Sequence, residues 1–228
     1  MMEHPMTALP PAALPPYGIV IFDCDGVLAD TDEAWGLAER LLCERHDLPW
    51  STELRHQTHG LSIRAAVALF ADLMEGSPPL DQLERELLDL AAPILSAEVR
   101  PLPGAVELVH ELAEHVPVGV ASNTPRDILD TMLSALGVTA PLTAVVSADE
   151  VTSPKPAPDI YREAARRLGA RPSSALVFED SPAGATAALR AGCQVLGVAA
   201  VGRPVLAGVL ATVADLEHAR VLLSAARI

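Results

Sequence analysis

The chain's 228 residues suffice for one large domain or a core carrying an insertion, and half of them are hydrophobic, enough for a substantial buried interior. Aromatic residues make up only 3%, so that interior has to be aliphatic and rich in alanine. A formal charge of −14 disfavours nucleic acid and anionic membrane as partners, because phosphate backbones demand a basic face; a small anionic substrate stays open where a site is locally positive.

In chain order, residues 1–16 hold several prolines, no basic start and no uninterrupted apolar stretch. They read as a flexible leader and not as a signal peptide. Cys24, Cys43 and Cys193 are few and unpatterned, which suits a reducing compartment. No apolar run approaches membrane-spanning length, so a soluble cytoplasmic protein, monomeric by default, is expected.

A short apolar run predicts the first strand over 18–23, and it ends in Asp23-Cys24-Asp25-Gly26. Side chains two apart in an extended segment point the same way. Asp23 and Asp25 therefore project together from a strand end, where open α/β sheets place ligands. Like charges held so close are costly without a cation, a shared proton or a ligand.

Helical patterns follow. Glu33–His46 carries Leu37, Leu41 and Leu42 on one face; Ser62 caps a helix running to about Met74; Asp81–Ala97 forms another, with Pro93 expected to bend it. Nothing from 33 to 99 reads as a strand, so this block is an all-helical unit. Apolar runs at Pro117–Ala121, Thr143–Ser147, Ala175–Phe178 and Gln194–Val198 then alternate with helical stretches near 104–115, 125–137, 157–169 and 182–192. That alternation predicts a doubly wound parallel sheet with both faces covered. The helical block is inserted after the first strand.

Four polar segments fall just past predicted strands: Asp23-Cys24-Asp25, Ser122-Asn123-Thr124, Lys155 in a proline-rich loop, and Glu179-Asp180-Ser181-Pro182. Lys155 is the chain's only lysine against fifteen arginines. Its compact point charge on a flexible stem differs from the wide arginine fork. Strand ends on one rim of a parallel sheet converge, so these carboxyl, hydroxyl and ammonium groups share a crevice. The set fits phosphoryl transfer. Asp23, Asp180 and a backbone carbonyl near Asp25 make a hard oxygen cage of the kind Mg²⁺ prefers. Lys155 offsets repulsion between an attacking carboxylate and an anionic phosphate. Ser122, Asn123 and backbone amides around Gly26 are available as donors to phosphoryl oxygens.

Asp23-Cys24-Asp25-Gly26-Val27-Leu28-Ala29-Asp30-Thr31, Ser122-Asn123, Lys155-Pro156 and Phe178-Glu179-Asp180-Ser181-Pro182-Ala183-Gly184 resemble the four signature motifs of the haloacid dehalogenase-like hydrolase superfamily. The likeness is to its β-phosphoglucomutase and phosphoglycolate phosphatase branch, which carries a helical cap at this place. The resemblance implies a Rossmann-like α/β core of residues 17–32 and 100–228 and a helical cap of residues 33–99. It implies a nucleophile at Asp23 that forms an aspartyl-phosphate, and an acid–base group at Asp25 that holds a proton more readily than Asp23. It also implies phosphoryl binding by Ser122 and Lys155. Mg²⁺ would be held by Asp23, the Asp25 carbonyl and Asp180, with Glu179 either a ligand or supporting a metal-bound water.

The leading expectation is thus a Mg²⁺-dependent phosphatase of a small phosphorylated metabolite, a sugar phosphate or similar. A phosphomutase is the nearest rival; the β-phosphoglucomutases are expected to have a histidine near Trp35 and a basic residue near Ile63, and this sequence departs at both. A non-catalytic protein that binds a phosphorylated ligand is the third reading. Ser153-Pro154 stands where a glycine is often expected beside Lys155. In the cap, Trp35 and Arg64 are candidate substrate contacts, each with a plainer alternative: a packing residue for Trp35, a solvated arginine for Arg64. Glu53, His56 and His59, three apart, form a weaker metal half-site than a solvated face.

Overall fold

The computed structural model describes residues 16–199 and 206–226; the expected leader lies outside the described residues except for Pro16. Six parallel strands form the main sheet: β1 (Ile19–Phe22), β4 (Val118–Ser122), β5 (Ala144–Ser147), β6 (Ala175–Glu179), β7 (Gln194–Val198) and β8 (Ala211–Val213), in the spatial order β5-β4-β1-β6-β7-β8. β1 lies between β4 and β6, and the chain builds outward from it first on one side and then on the other. That reversal opens a crevice beyond the carboxyl ends of β1, β4 and β6.

Period-two alternation sorts the strand side chains between two faces. Val20 and Phe22 join one core layer with α5 (Ala105–Ala113), α6 (Arg126–Ala135) and α9 (Leu216–Ala226). Ile19 and Ile21 join the other with α7 (Asp159–Arg167) and α8 (Pro182–Ala191). Phe22 stacks on Phe178 with ring centroids 4.8 Å apart, an aromatic pair in a mainly aliphatic interior. Ser181 caps α8 by accepting from the Gly184 amide, and Pro182 occupies the first turn, where its missing N–H costs nothing.

Between β2 (Ala29–Asp30) and β3 (Arg100–Pro101), which pair antiparallel, the chain makes four helices: α1 (Asp32–Arg45), α2 (Thr52–Thr58), α3 (Ile63–Leu73) and α4 (Leu80–Glu98). The insertion therefore leaves and rejoins the core at one short ladder. α1 and α3 pack on α4, which runs through Pro93 as a single helix and reaches α6 of the core. The expected cap of Ser62 on α3 is present, its hydroxyl accepting from the Ala65 amide.

Besides the two-residue strands β2 and β3, three elements went unread in the sequence. α2 has the polar string TELRHQT and is two turns long, too short and too polar for an apolar stripe to register. β8 is only three residues, Ala-Thr-Val, and takes its identity from pairing with β7. α9 does carry a stripe, with Leu216, Ala219 and Leu223 buried, beyond the last strand identified. Among the described residues, no helix is long and apolar enough to cross a membrane.

Candidate active site

Asp23 stands one residue past β1, its amide bound to the Phe178 carbonyl at 3.0 Å. Its Oδ1 accepts from the Cys24 amide at 2.8 Å and lies 2.8 Å from Lys155 Nζ. Cys24 falls on the opposite face of the extended segment and is fully buried. Asp25 sits under a ring of donors. Thr31 Oγ1 and Trp35 Nε1 donate to Oδ1 at 2.8 and 2.7 Å, and Thr124 Oγ1 and Ser122 Oγ to Oδ2 at 2.6 and 3.2 Å. The expected convergence of the two aspartates on one crevice is what the structure shows.

Lys155 is 3% exposed and reaches the crevice despite the Ser153-Pro154 step. Its Nζ lies 2.6 Å from Glu179 Oε1 and 5.0 Å from the Tyr161 ring centroid, a cation–π distance. Tyr161 Oη donates to the same Glu179 oxygen at 2.6 Å, while Oε2 accepts from the Ser181 amide and hydroxyl, both at 3.1 Å. Both carboxylate oxygens of Glu179 are thus engaged by protein donors, which makes it the anchor of Lys155. Asp180 comes up beside Gly26 (φ +73°), and a Cβ there would fall 2.0 Å from Asp180 Oδ2. Gly26→Ala is expected to lower stability by more than the roughly 1–2 kcal/mol that a left-handed backbone costs an L-residue, since Asp180 must also move. Urea unfolding checks this, and a loss under about 1 kcal/mol counts against the packing described.

Electrostatics follow from burial. Burial pushes the Asp23 carboxyl well above the usual carboxylate range, Glu179 adds to the rise, and Lys155 opposes it. Burial works to lower the Lys155 ammonium, but Asp23 and Glu179 outweigh it and raise it. The protein's own charges thus favour the neutral acid at Asp23. Three buried carboxylates, Asp23, Glu179 and Asp180, offer ligand oxygens within 4.8 Å of one another against one ammonium. The cluster is short of positive charge and consists of hard oxygen donors, so it fits a hard divalent cation.

Several expected residues are used differently. Asn123 does line the crevice, but its Nδ2 donates to the Gly60 and Lys155 carbonyls, both at 3.3 Å, and its Oδ1 accepts from the Lys155 amide at 3.0 Å. It fastens the lysine loop and the helical insertion to the core. The Ser122 hydroxyl turns to Asp25 and accepts from the Thr124 amide. Amides of Gly26, Val27, Leu28 and Ala29 are spent within the turn on the Ala29 and Cys24 carbonyls, which removes them as phosphate donors. Arg64 is on the surface, paired with Asp81 and Glu84, and the structure does not bring it to the crevice.

From the insertion come instead Trp35, Glu39, Arg55, Thr58 and His59. His59 Nε2 is 3.3 Å from Asp180 Oδ2; the spacing of Glu53, His56 and His59 flagged it, for a different partner set. Glu39 and Arg55 were missed, and Thr31 and Thr124 lie in the motif segments without a role assigned to them. A threonine or an ion pair has no local signature of function until the fold puts it beside Asp25 or into the crevice.

The sequence model of the haloacid dehalogenase-like hydrolases matches residues 20–198. The chain belongs to this family. It is 36% identical over 188 residues to the validoxylamine A 7'-phosphate phosphatase of Streptomyces hygroscopicus subsp. limoneus, covering 80% of this chain and 85% of the relative. To the beta-phosphoglucomutase of Bacillus subtilis it is 30% identical over 200 residues, 82% of this chain and 85% of that one. A hydrolase from Pseudomonas syringae superposes with a TM-score of 0.80 at 26% identity, covering 91% of this chain and 98% of that structure. Matches of this extent place the parallel sheet, and the rim that carries the carboxylates, within the haloacid dehalogenase-like fold.

Proposed function

We propose that this hydrolase is a Mg²⁺-dependent phosphatase that releases phosphate from a small phosphorylated metabolite through an aspartyl-phosphate intermediate. The observation that carries the reading is Asp23 Oδ1 held 2.8 Å from a buried Lys155 in a crevice that also contains Asp25 and Asp180. Asp23 attacks phosphorus while Lys155 balances the charge that accumulates there. Asp25 gives a proton to the departing oxygen and later takes one from the hydrolytic water. Thr31, Trp35, Ser122 and Thr124 hold its two oxygens in place for both transfers. Asp23, Asp180 and the Asp25 carbonyl would bind Mg²⁺, with Glu179 supporting from behind through Lys155. When bound, the ion would supply charge neutralisation to the phosphoryl oxygens and favour the ionised form of Asp23.

We assign residues 17–32 and 100–228 to the core and 33–99 to the cap. The crevice between them has a volume of about 70 Å³, room for two or three waters at roughly 30 Å³ each. A phosphorylated sugar needs more, so the cap swings on the β2–β3 ladder to admit substrate and closes to exclude water.

The test is phosphate release across a panel of phosphoesters, with Mg²⁺ and after chelation. Chelation is expected to lower turnover by at least about 10³-fold, since several kcal/mol of charge stabilisation are lost. Turnover indifferent to chelation overturns the metal assignment. The likeness to a beta-phosphoglucomutase keeps a mutase as a defined outcome of the same panel, recognised by an isomerised sugar phosphate in place of free phosphate. Tight binding of one ester without turnover identifies a ligand-binding protein instead.

A further inference from the structure

Facing the core carboxylates across the crevice is a second buried polar group that the phosphoryl chemistry does not use. Glu39, in the middle of α1, is 4% exposed and lines the crevice. Thr58 Oγ1 donates to its Oε2 at 3.1 Å, and Arg55 Nη1 lies 3.5 Å from the same oxygen. Oε1 takes no hydrogen bond from a described residue. Arg55 is itself committed to Asp32, through Nη2 to the carboxylate at 2.5 Å and to the carbonyl at 3.2 Å.

The arrangement is built at some expense to the fold. Gly36 lies inside α1, where glycine is less favourable than alanine; a Cβ there would meet Arg55 Nε at 3.2 Å, so the gap admits the guanidinium. A buried carboxylate is unfavourable unless compensated. Burial pushes Glu39 up to about 7 even though Arg55 and Thr58 pull the other way. The compensation within the protein is therefore incomplete, and hydrogen-bond donors from a ligand would complete it.

An ionised carboxylate only accepts hydrogen bonds, so its ligand must donate. With Glu39 ionised, Asp32 and Glu39 share one guanidinium, and His59 Nδ1 stands 4.0 Å from Asp32 Oδ1, so the fixed charges of that group sum to −1. A second phosphate or a carboxylate on the substrate would meet that charge without an uncommitted arginine to bind it. Ile63, Ala66 and Leu87 complete the wall with apolar surface.

We propose that Glu39, held by Arg55 and Thr58, is the specificity-determining residue of the cap. It selects esters whose leaving group is a polyhydroxylated alcohol with no second anionic group, by accepting hydrogen bonds from that alcohol. The inference rests on the phosphatase reading and adds which alcohol is released.

The test compares kcat/KM for three esters in wild type and in Glu39→Gln: a hexitol monophosphate, p-nitrophenyl phosphate and 2-phosphoglycolate. Wild type is expected to prefer the hexitol ester over 2-phosphoglycolate by at least about 100-fold. In Glu39→Gln the ratio of hexitol ester to p-nitrophenyl phosphate falls by roughly 10–100-fold, the range expected when a specificity pocket no longer satisfies a buried polar group of its substrate. The ratio of 2-phosphoglycolate to p-nitrophenyl phosphate rises in the same variant, a gain that misfolding cannot imitate. Thr58→Val is expected to move the hexitol ratio in the same direction by a smaller factor. Equal losses on all three esters, unchanged ratios, or a wild type that prefers 2-phosphoglycolate overturn the selector while leaving the phosphatase standing. No phosphate from any of the three overturns both.

Discussion

Asp23→Asn is expected to reduce phosphate release by at least about 10⁴-fold, the scale on which loss of a nucleophile acts, while the protein stays folded and gains stability at alkaline pH. The amide keeps the shape of the carboxylate and can still accept from the Cys24 amide, but it cannot form an acyl-phosphate. The stability half of the result follows from the raised pKa of Asp23, set first by burial and then by Glu179. An acid whose folded-state pKa lies above its unfolded value contributes fully at low pH. That contribution is lost as pH rises through the folded pKa. Wild type carries that loss and the asparagine variant does not. Thermal unfolding without divalent cations should show near-equal midpoints at about pH 4 and a higher midpoint for the variant at about pH 8. A variant that is less stable than wild type at the alkaline pH contradicts the charge balance described for this site. One that turns over normally removes Asp23 from the chemistry.

Lys155→Met is expected to lose turnover by at least about 10³-fold and to lose about 3–5 kcal/mol of stability, as when one member of a buried ion cluster is removed. Here the remaining members are Asp23 and Glu179, 2.8 and 2.6 Å from the missing nitrogen. Tyr161 still donates to Glu179, but nothing replaces the charge. Lys155→Arg should not restore activity. The side chain is enclosed between two carboxylates and the Tyr161 ring, a seat for a compact ammonium and not for a planar fork with five donors. Urea unfolding together with phosphate release measures both halves. A methionine variant within about 1 kcal/mol of wild type, or an active arginine variant, contradicts this seat.

How far the sequence could be read depended on how local each signal is. β1 and its two aspartates were legible because alternation along an extended segment places residues two apart on one side, whatever surrounds them. Ser181-Pro182 was legible as a helix start for the same reason. The solitary Lys155 was conspicuous by composition and then by its place in the motif order. By contrast, the sequence marks Asn123 as a phosphate donor, although its amide is consumed by the Gly60 and Lys155 carbonyls. Nothing within several residues of Asn123 announces that a loop of the helical insertion, at position 60, will lie against it. Gly60 (φ +73°) makes that approach possible, since a Cβ there would stand 2.5 Å from the Ser181 Cβ.

Strand period, chain order and parallel topology were enough to dictate five of the sheet's six strands, the insertion after the first of them, and which carboxylates and which ammonium meet at the rim. All of that could be read along the chain. What faces the rim could not. Folding seated Trp35 and two threonines on Asp25, turned Glu179 inward to hold Lys155, left Arg64 at the surface and brought Glu39 with Arg55 into the crevice. Those outcomes come from loops of the core meeting at the rim and from helices α1 to α3 docking on it, across long stretches of chain. Docking of that kind depends on packing between distant residues, which no short segment of sequence encodes.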